Sequence, residues 1–100
     1  MGRRIIWSHT AANDVEAIME YLRHSSPFYS KQFILKVRTA AKSLKTFSER
    51  GRHIPEHSDS DLREIFVDSF RLFYRVSAEQ VEIIGVVHMA RDISQLLVSE

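Results

Sequence analysis

Hydrophobic positions along the chain change period three times, and each change marks an element. From Arg3 to Ser8 the pattern has period two: Ile5 and Trp7 share one face, while Ile6 alternates with Arg4 and Ser8. This predicts a short strand, of a length suited to a sheet edge. Thr10 then reads as a helix N-cap, because its hydroxyl can accept from the free amides of the next turn, and Asp14 sits near the positive helix end. Val15, Ile18, Met19 and Leu22 fall at i, i+3, i+4 and i+7, one helical stripe ending near His24-Ser25. Ser26-Pro27 opens a second helix, since proline tolerates a first helical position whose amide would be unpaired anyway. Its stripe is Phe33, Val37, Ala40, Leu44 and Phe47. The short connection makes the pair an antiparallel hairpin.

Residues Glu49 to Asp61 carry Gly51, Pro55 and a polar Ser-Asp-Ser-Asp run, and read as loop. Period two returns in Leu62–Val67, Phe70–Val76 and Val81–His88. Asp68-Ser69 is a two-residue turn and Ser77–Gln80 the second turn region. After Arg91 a short apolar tail remains, with Ile93, Leu96 and Leu97. Neither a repeat nor a domain boundary is visible, so residues 1–100 read as one domain.

Pairing the strands sorts their side chains. A turn at Asp68-Ser69 sets Val67 opposite Phe70, Ile65 opposite Leu72 and Arg63 opposite Tyr74, and opposed residues share a face. A second hairpin joining Val76 to Val81 adds Val81, Ile83, Gly85 and Val87 to that face. It is almost wholly apolar and should pack on the helices. Arg63 is the exception, read as a structural arginine at the sheet edge. The other face carries Leu62, Glu64, Phe66, Arg71, Phe73, Arg75, Glu82, Ile84, Val86 and His88. One layer of helices cannot cover both faces. Phe66, Phe73, Ile84 and Val86 therefore need another cover: the tail, a partner or a substrate. Cations, a carboxylate and an imidazole are expected to converge here, with Arg91 following within reach. Ordinary cross-strand ion pairs on a solvated face are the alternative.

Composition narrows the chemistry. Cysteine is absent, which excludes a disulfide framework, a thiolate metal site and a thiol nucleophile. The longest apolar run, Ile83-Ile84-Gly85-Val86-Val87, is far shorter than the roughly 20 residues of a membrane span. With no signal-peptide pattern at the start, a cytosolic protein without membrane association is expected. Net charge is only +1, from 14 basic and 13 acidic residues. Contact with nucleic acid must then come from a local patch. Lys31, Arg38, Lys42 and Lys45 form one helical stripe, read as a solvated face that is also placed to touch RNA. His53 and His57 flank Pro55 in the loop without an evident third ligand; neither a metal nor another cofactor is expected.

The order strand, helix hairpin, three-stranded meander and short tail resembles the RelE/ParE superfamily of toxins from type II toxin–antitoxin pairs. The wording matches as well: Trp7-Ser8 leading into Thr10-Ala11 and Asp14; Gly51-Arg52-His53-Ile54-Pro55-Glu56; Leu62-Arg63-Glu64; Phe70-Arg71-Leu72-Phe73-Tyr74-Arg75-Val76; and His88-Met89-Ala90-Arg91-Asp92. The resemblance implies an α+β fold, a mostly antiparallel sheet with a two-helix hairpin on one face and a short C-terminal helical tail. It also implies a growth-inhibiting toxin neutralised by an antitoxin encoded beside it.

RelE-like members of that superfamily cut messenger RNA in the ribosomal decoding site without metal. Arg71 falls on their strand arginine, Arg91 on a basic position after the last strand, and His88 resembles the C-terminal histidine of YoeB-like relatives. Cleavage by the RNA's own 2′-OH needs a base, cations on the phosphate and an acid at the leaving oxygen. Arg71 and Arg91 can supply charge, and Glu64 or His88 a base, with His88 alternatively the acid. Arg75, Phe66, Phe73, Lys42 and Lys45 are the candidate contacts to RNA or another target. On this reading Arg71→Ala should abolish growth arrest and leave the fold intact. ParE-like members instead poison DNA gyrase and are not nucleases. This chain has Leu62-Arg63-Glu64 where RelE strands carry spaced lysines, Leu96-Leu97 where their tails carry tyrosine, and a low net charge. It also has Asp68-Ser69-Phe70-Arg71 where ParE-like chains often have Gly-Ser-His. Ribosome-associated mRNA cleavage is the first expectation. Gyrase inhibition without catalysis and an inactive antitoxin-binding homologue are the alternatives.

Overall fold

The computed structural model describes residues 2–58 and 61–91. Five strands and two helices follow the chain as β1 (Arg4–Trp7), α1 (His9–Ser25), α2 (Pro27–Ser43), β2 (Arg52–His53), β3 (Leu62–Val67), β4 (Phe70–Val76) and β5 (Gln80–His88). They form one sheet of order β1-β5-β4-β3-β2, antiparallel throughout except that β1 runs parallel to β5. The α+β architecture inferred from the sequence is thus the observed one. The C-terminal tail, with Ile93, Leu96 and Leu97, lies outside the described residues.

Local chemistry explains the element ends. Ser8, not Thr10, caps α1: its Oγ accepts from the Ala11 amide at 3.0 Å, while its own amide donates to Ile83 O at 3.0 Å. Strand pairing therefore runs straight into the helix, which starts two residues earlier than the sequence suggests. Ser26 closes α1 with its amide and opens α2 with its hydroxyl, which accepts from Tyr29 N at 3.3 Å. Buried Ser30 ties the two helices by donating to Met19 O at 2.9 Å. α2 ends at Ser43, so its core stripe is Phe33, Val37, Ala41 and Leu44. Phe47 lies beyond the last turn and is 65% exposed, contrary to the periodic reading.

Helix residues Val15, Phe33, Val37 and Leu44 pack on Ile65, Leu72, Tyr74, Val81 and Ile83 of the sheet. The β3–β4 register is the one read from the turn, with Asp68 accepting the left-handed conformation (φ 53°) that aspartate tolerates. The β4–β5 register starts as expected at Val76↔Val81, then shifts. Tyr74 pairs with Ile83 but Phe73 pairs with Gly85, so β5 carries a bulge at Ile84. Beyond a one-residue insertion every side chain changes face. Val86, opposite Leu72, joins the helix-packed core, while Val87, opposite Arg71, turns to the other side.

That other side is covered from within the chain. Ile54, in the segment after β2, packs on Leu62, Phe73 and Val87, with Ile84 against their margin. The segment read as plain loop thus contains a two-residue edge strand and the lid of a second small core. Gly51 admits the approach: a Cβ there would lie 2.5 Å from Glu64 O and 2.5 Å from Tyr74 Oη. The Gly51 amide donates to the buried Tyr74 hydroxyl at 2.9 Å, and Arg63 donates to Gly51 O at 2.7 Å and Glu49 O at 3.3 Å. Arg63 is the structural arginine that its position implied.

Candidate functional site

Alternation along β3 and β4 places Glu64, Phe66, Arg71 and Phe73 on the face away from the helices. Alternation in the covering segment (Arg52, Ile54, Glu56) brings two more charges onto the same ground. Arg71 donates from Nε to Glu64 Oε1 at 2.6 Å and forks onto Glu56, Nη1 to Oε2 at 2.9 Å and Nη2 to Oε1 at 2.7 Å. Arg52 reaches the second oxygen of Glu64, Nε to Oε2 at 2.6 Å. Two arginines and two carboxylates form one continuous, formally neutral quartet in the order Glu56, Arg71, Glu64, Arg52.

Burial encloses the inner pair of the quartet and leaves the outer pair partly open. The Glu64 side chain is 0% exposed and that of Arg71 6%, whereas Glu56 and Arg52 stand at 40% and 57%. Each guanidinium also lies over an aromatic ring: Arg71 over Phe73 at 5.1 Å and Arg52 over Phe66 at 5.2 Å. The fork onto Glu56 raises the Arg71 pKa further above its already high value, with Glu64 adding to the effect and burial opposing it. The same fork holds the Glu56 carboxyl below its usual range. Among the described residues, no buried side-chain nitrogen or oxygen lacks a partner.

The residues singled out by sequence are therefore only partly brought together. Arg71, Glu64, Phe66 and Phe73 meet, but Arg71 and Glu64 are enclosed, and Phe73 is 3% exposed beneath Ile54. Phe66 remains 46% exposed. Arg75 is half-buried on the same sheet, opposite Leu62 and Glu82. His88 is not where the simple register put it. The bulge sets it opposite Phe70, on the helix side, with its ring 5.5 Å from Phe70 and its Nδ1 accepting from Ala90 N at 3.1 Å. Arg91, exposed, acts electrostatically on Asp14 of α1. Lys42 and Lys45 are exposed, and Lys45 lies where its carbonyl accepts from Arg3 N at 3.0 Å, at the start of the chain. The convergence of Arg71, Glu64 and His88 on one face thus does not form. Among the described residues no three His, Asp or Glu side chains gather as a metal would require.

Sequence reasoning missed Glu56, Arg52, Ile54 and Asp14. For the first three a signal existed: period two through Arg52, Ile54 and Glu56 sets alternate residues on one side, though Gly51 and Pro55 read as punctuation. For Asp14 the signals were its helix-dipole placement and its place in the family-like start of the chain. Its carboxylate accepts from Val86 N at 3.0 Å, just past the bulge.

Residues 5–93 match the model of a family described as ParE toxin of type II toxin-antitoxin system, parDE. The chain belongs to the ParE toxin family. Toxin RelE2 of Caulobacter vibrioides is 33% identical over 89 residues, spanning 88% of this chain and 97% of that protein. A structure of the chromosomal ParDE system from P. aeruginosa matches with a TM-score of 0.70 at 19% identity, covering 86% of this chain and 95% of that one. The E. coli DinJ-YafQ toxin-antitoxin complex matches with a TM-score of 0.67 at 15% identity, covering 90% and 96%. The toxin is thus a RelE/ParE-superfamily member of the type II class.

Proposed function

We propose that this toxin arrests growth by binding a protein target, with DNA gyrase the first candidate, rather than by cutting RNA. One observation carries the reading: the strand arginine that a nuclease would turn on phosphate is 5% exposed and held by Glu56 and Glu64. Metal-free cleavage needs cations free to meet charge as it develops, and here the two central cations face two carboxylates at hydrogen-bond distance. A phosphate would have to displace Glu56 from a two-point fork, among the stronger hydrogen-bonded pairs in proteins. The bulge sets His88 on the other side of the sheet, so that imidazole is not beside Arg71 as acid or base. A binder needs none of this. For it the quartet is a scaffold under an outer surface.

The cognate antitoxin is assigned to a different place. Trp7, Val15, Met19 and Ile34 line an apolar groove of about 320 Å³ between β1 and the helix hairpin. An amphipathic helical segment fits such a groove, and the ParDE and DinJ-YafQ matches come from toxin–antitoxin systems.

The purified toxin should be assayed in parallel for inhibition of gyrase supercoiling and for mRNA cutting on ribosomes, read by toeprint. Loss of supercoiling with intact mRNA is the expected result. Ribosome-dependent cuts with unaffected gyrase would overturn the proposal in favour of the nuclease reading.

A further inference from the structure

β2 pairs only with Arg63 and Glu64, because it is two residues long. Among the described residues, β3 therefore has no strand on its outer side from Ile65 to Val67. Beside this open stretch a groove of about 430 Å³ runs between β3 and α2. Leu35, 54% exposed, is its apolar wall on the helix side, and Phe66, 46% exposed, borders it from the other face of the edge strand. Its cations are Lys36 and Arg50. Lys36 pairs with Asp68 at the hairpin turn, Nζ to Oδ1 at 2.9 Å. Arg50 donates to the Ser43 hydroxyl, not to a carboxylate. Arg52 already stacks on Phe66 at the groove's margin, 5.2 Å from the ring.

We infer that this groove is the surface through which the toxin grips its protein target, and that the occupant is an extended, acidic segment with one large apolar side chain. The inference rests on the binding reading given above and names its contact surface. An open strand edge offers main-chain hydrogen bonds to an added strand, and an adjoining pocket takes one of its side chains. Leu35, with Ala40 and Val67, gives that side chain a floor, and Phe66 borders it from the other face of the edge strand. Arg50 and Arg52 are exposed, Arg52 over the Phe66 ring, and arginine is among the residue types that dominate binding energy at interfaces. Charge sets the sign. Lys36 and Asp68 cancel, the quartet is neutral, and among the described residues Arg50 faces the groove without a carboxylate partner. One or two acidic residues complement that surplus. A phosphate chain fits less well, since Asp68 stands on the rim and Leu35, Ala40 and Val67 are apolar lining. The antitoxin groove lies at the opposite edge of the sheet, by β1, so the two surfaces are separable by mutation.

The test compares the full-length toxin with Phe66→Ala and Arg50→Glu variants, each checked for folding by circular dichroism. Leu35→Asp, on an exposed helix position, serves as a third variant. The readouts are growth arrest without antitoxin, gyrase supercoiling, mRNA cutting on ribosomes, and binding to the antitoxin encoded beside the toxin. Each folded variant should need about tenfold more toxin for the same arrest, and bind antitoxin within twofold of the parent. Full toxicity in all three variants overturns the inference. So does loss of antitoxin binding with unchanged toxicity, which gives the groove to the antitoxin. Loss of mRNA cutting in Arg50→Glu gives it to RNA and overturns it as well. If the parent leaves both gyrase and mRNA untouched while the variants still relieve arrest, gyrase is wrong and the groove assignment stands for another protein target.

Discussion

Asp14 and Val86 are 72 residues apart in sequence, and the carboxylate of one accepts the backbone amide of the other at 3.0 Å. This bond sits just past the bulge at Ile84, where the β4–β5 register slips by one residue. A bulge leaves backbone groups without a strand partner, and a helix side chain supplies the acceptor here. Ser8 contributes from the same side, its amide donating to Ile83 O at 3.0 Å and its hydroxyl to Ile84 O at 3.4 Å.

Removing that acceptor should therefore be costly. Asp14→Ala leaves the Val86 amide unpaired in a part-buried place, a loss of roughly 1–3 kcal/mol. Asp14→Asn keeps a carbonyl acceptor and should lose much less. Burial raises the Asp14 pKa above 3.8, with the Val86 amide and Arg91 holding it partly back. Its ionised form is thus disfavoured by folding. The favourable contribution of protonated Asp14 is complete below about pH 3.8 and is lost as pH rises through the folded-state value. Urea midpoints of the three proteins across pH 3–7 check both statements.

Glu56 has the opposite sign. Arg71 holds its carboxyl below the usual 4.5, so its contribution is present above about pH 4.5 and lost as pH falls through the folded-state value. Glu56→Gln should flatten the acid limb of the stability curve there. Unchanged slopes in acid urea titrations would mean that the fork onto Arg71 contributes nothing in solution.

Arg71→Ala should unsettle the fold, not spare it as the alternation alone suggests. It strips the fully buried Glu64 of one of its two arginines. Breaking a buried pair in this way costs roughly 3 kcal/mol, the low end of the usual span because Arg52 stays in place. A variant with parental thermal stability would show that Glu64 does not depend on Arg71. Growth arrest by Arg71→Ala is interpretable only beside that measurement.

Gly51 is a prediction about space. Its φ is not positive, but an added methyl meets a backbone oxygen and the Tyr74 hydroxyl at 2.5 Å each. Gly51→Ala should lower stability by about 1–3 kcal/mol through forced displacement of β2. Tyr74→Phe should cost about 1–3 kcal/mol by leaving the Gly51 amide unpaired. Chemical denaturation measures both, and amide exchange at Gly51 should quicken in Tyr74→Phe.

Leu44, 0% exposed at the end of α2, tests the helix stripe itself. Leu44→Ala should cost roughly 2–5 kcal/mol, the span for a buried leucine whose cavity closes only in part. Leu35→Ala, on the exposed face of the same helix, should be nearly neutral in the same thermal melts.

Whatever depends on neighbours along the chain was legible before any tertiary contact was known. The 3.6-residue stripe from Phe33 to Leu44 has only one apolar side to bury. The two-residue turn at Asp68-Ser69 leaves β3 and β4 only one register. Ser26-Pro27 both ends and begins a helix by chemistry local to those residues. Tertiary structure decided what depends on groups far apart. Period two carried from Val76 through Val81 puts Val86 and His88 beside Arg71, and the real chain puts them across the sheet. An acceptor from α1 meets the amide at the bulge, and alternation within β5 holds no trace of that helix. In the same way Arg71 reads as an open cation on β4, because nothing local to β4 shows that Glu56, 15 residues earlier, folds over it. A closed ion pair needs both partners placed, and only the packing of Ile54 on Phe73 and Val87 places the second.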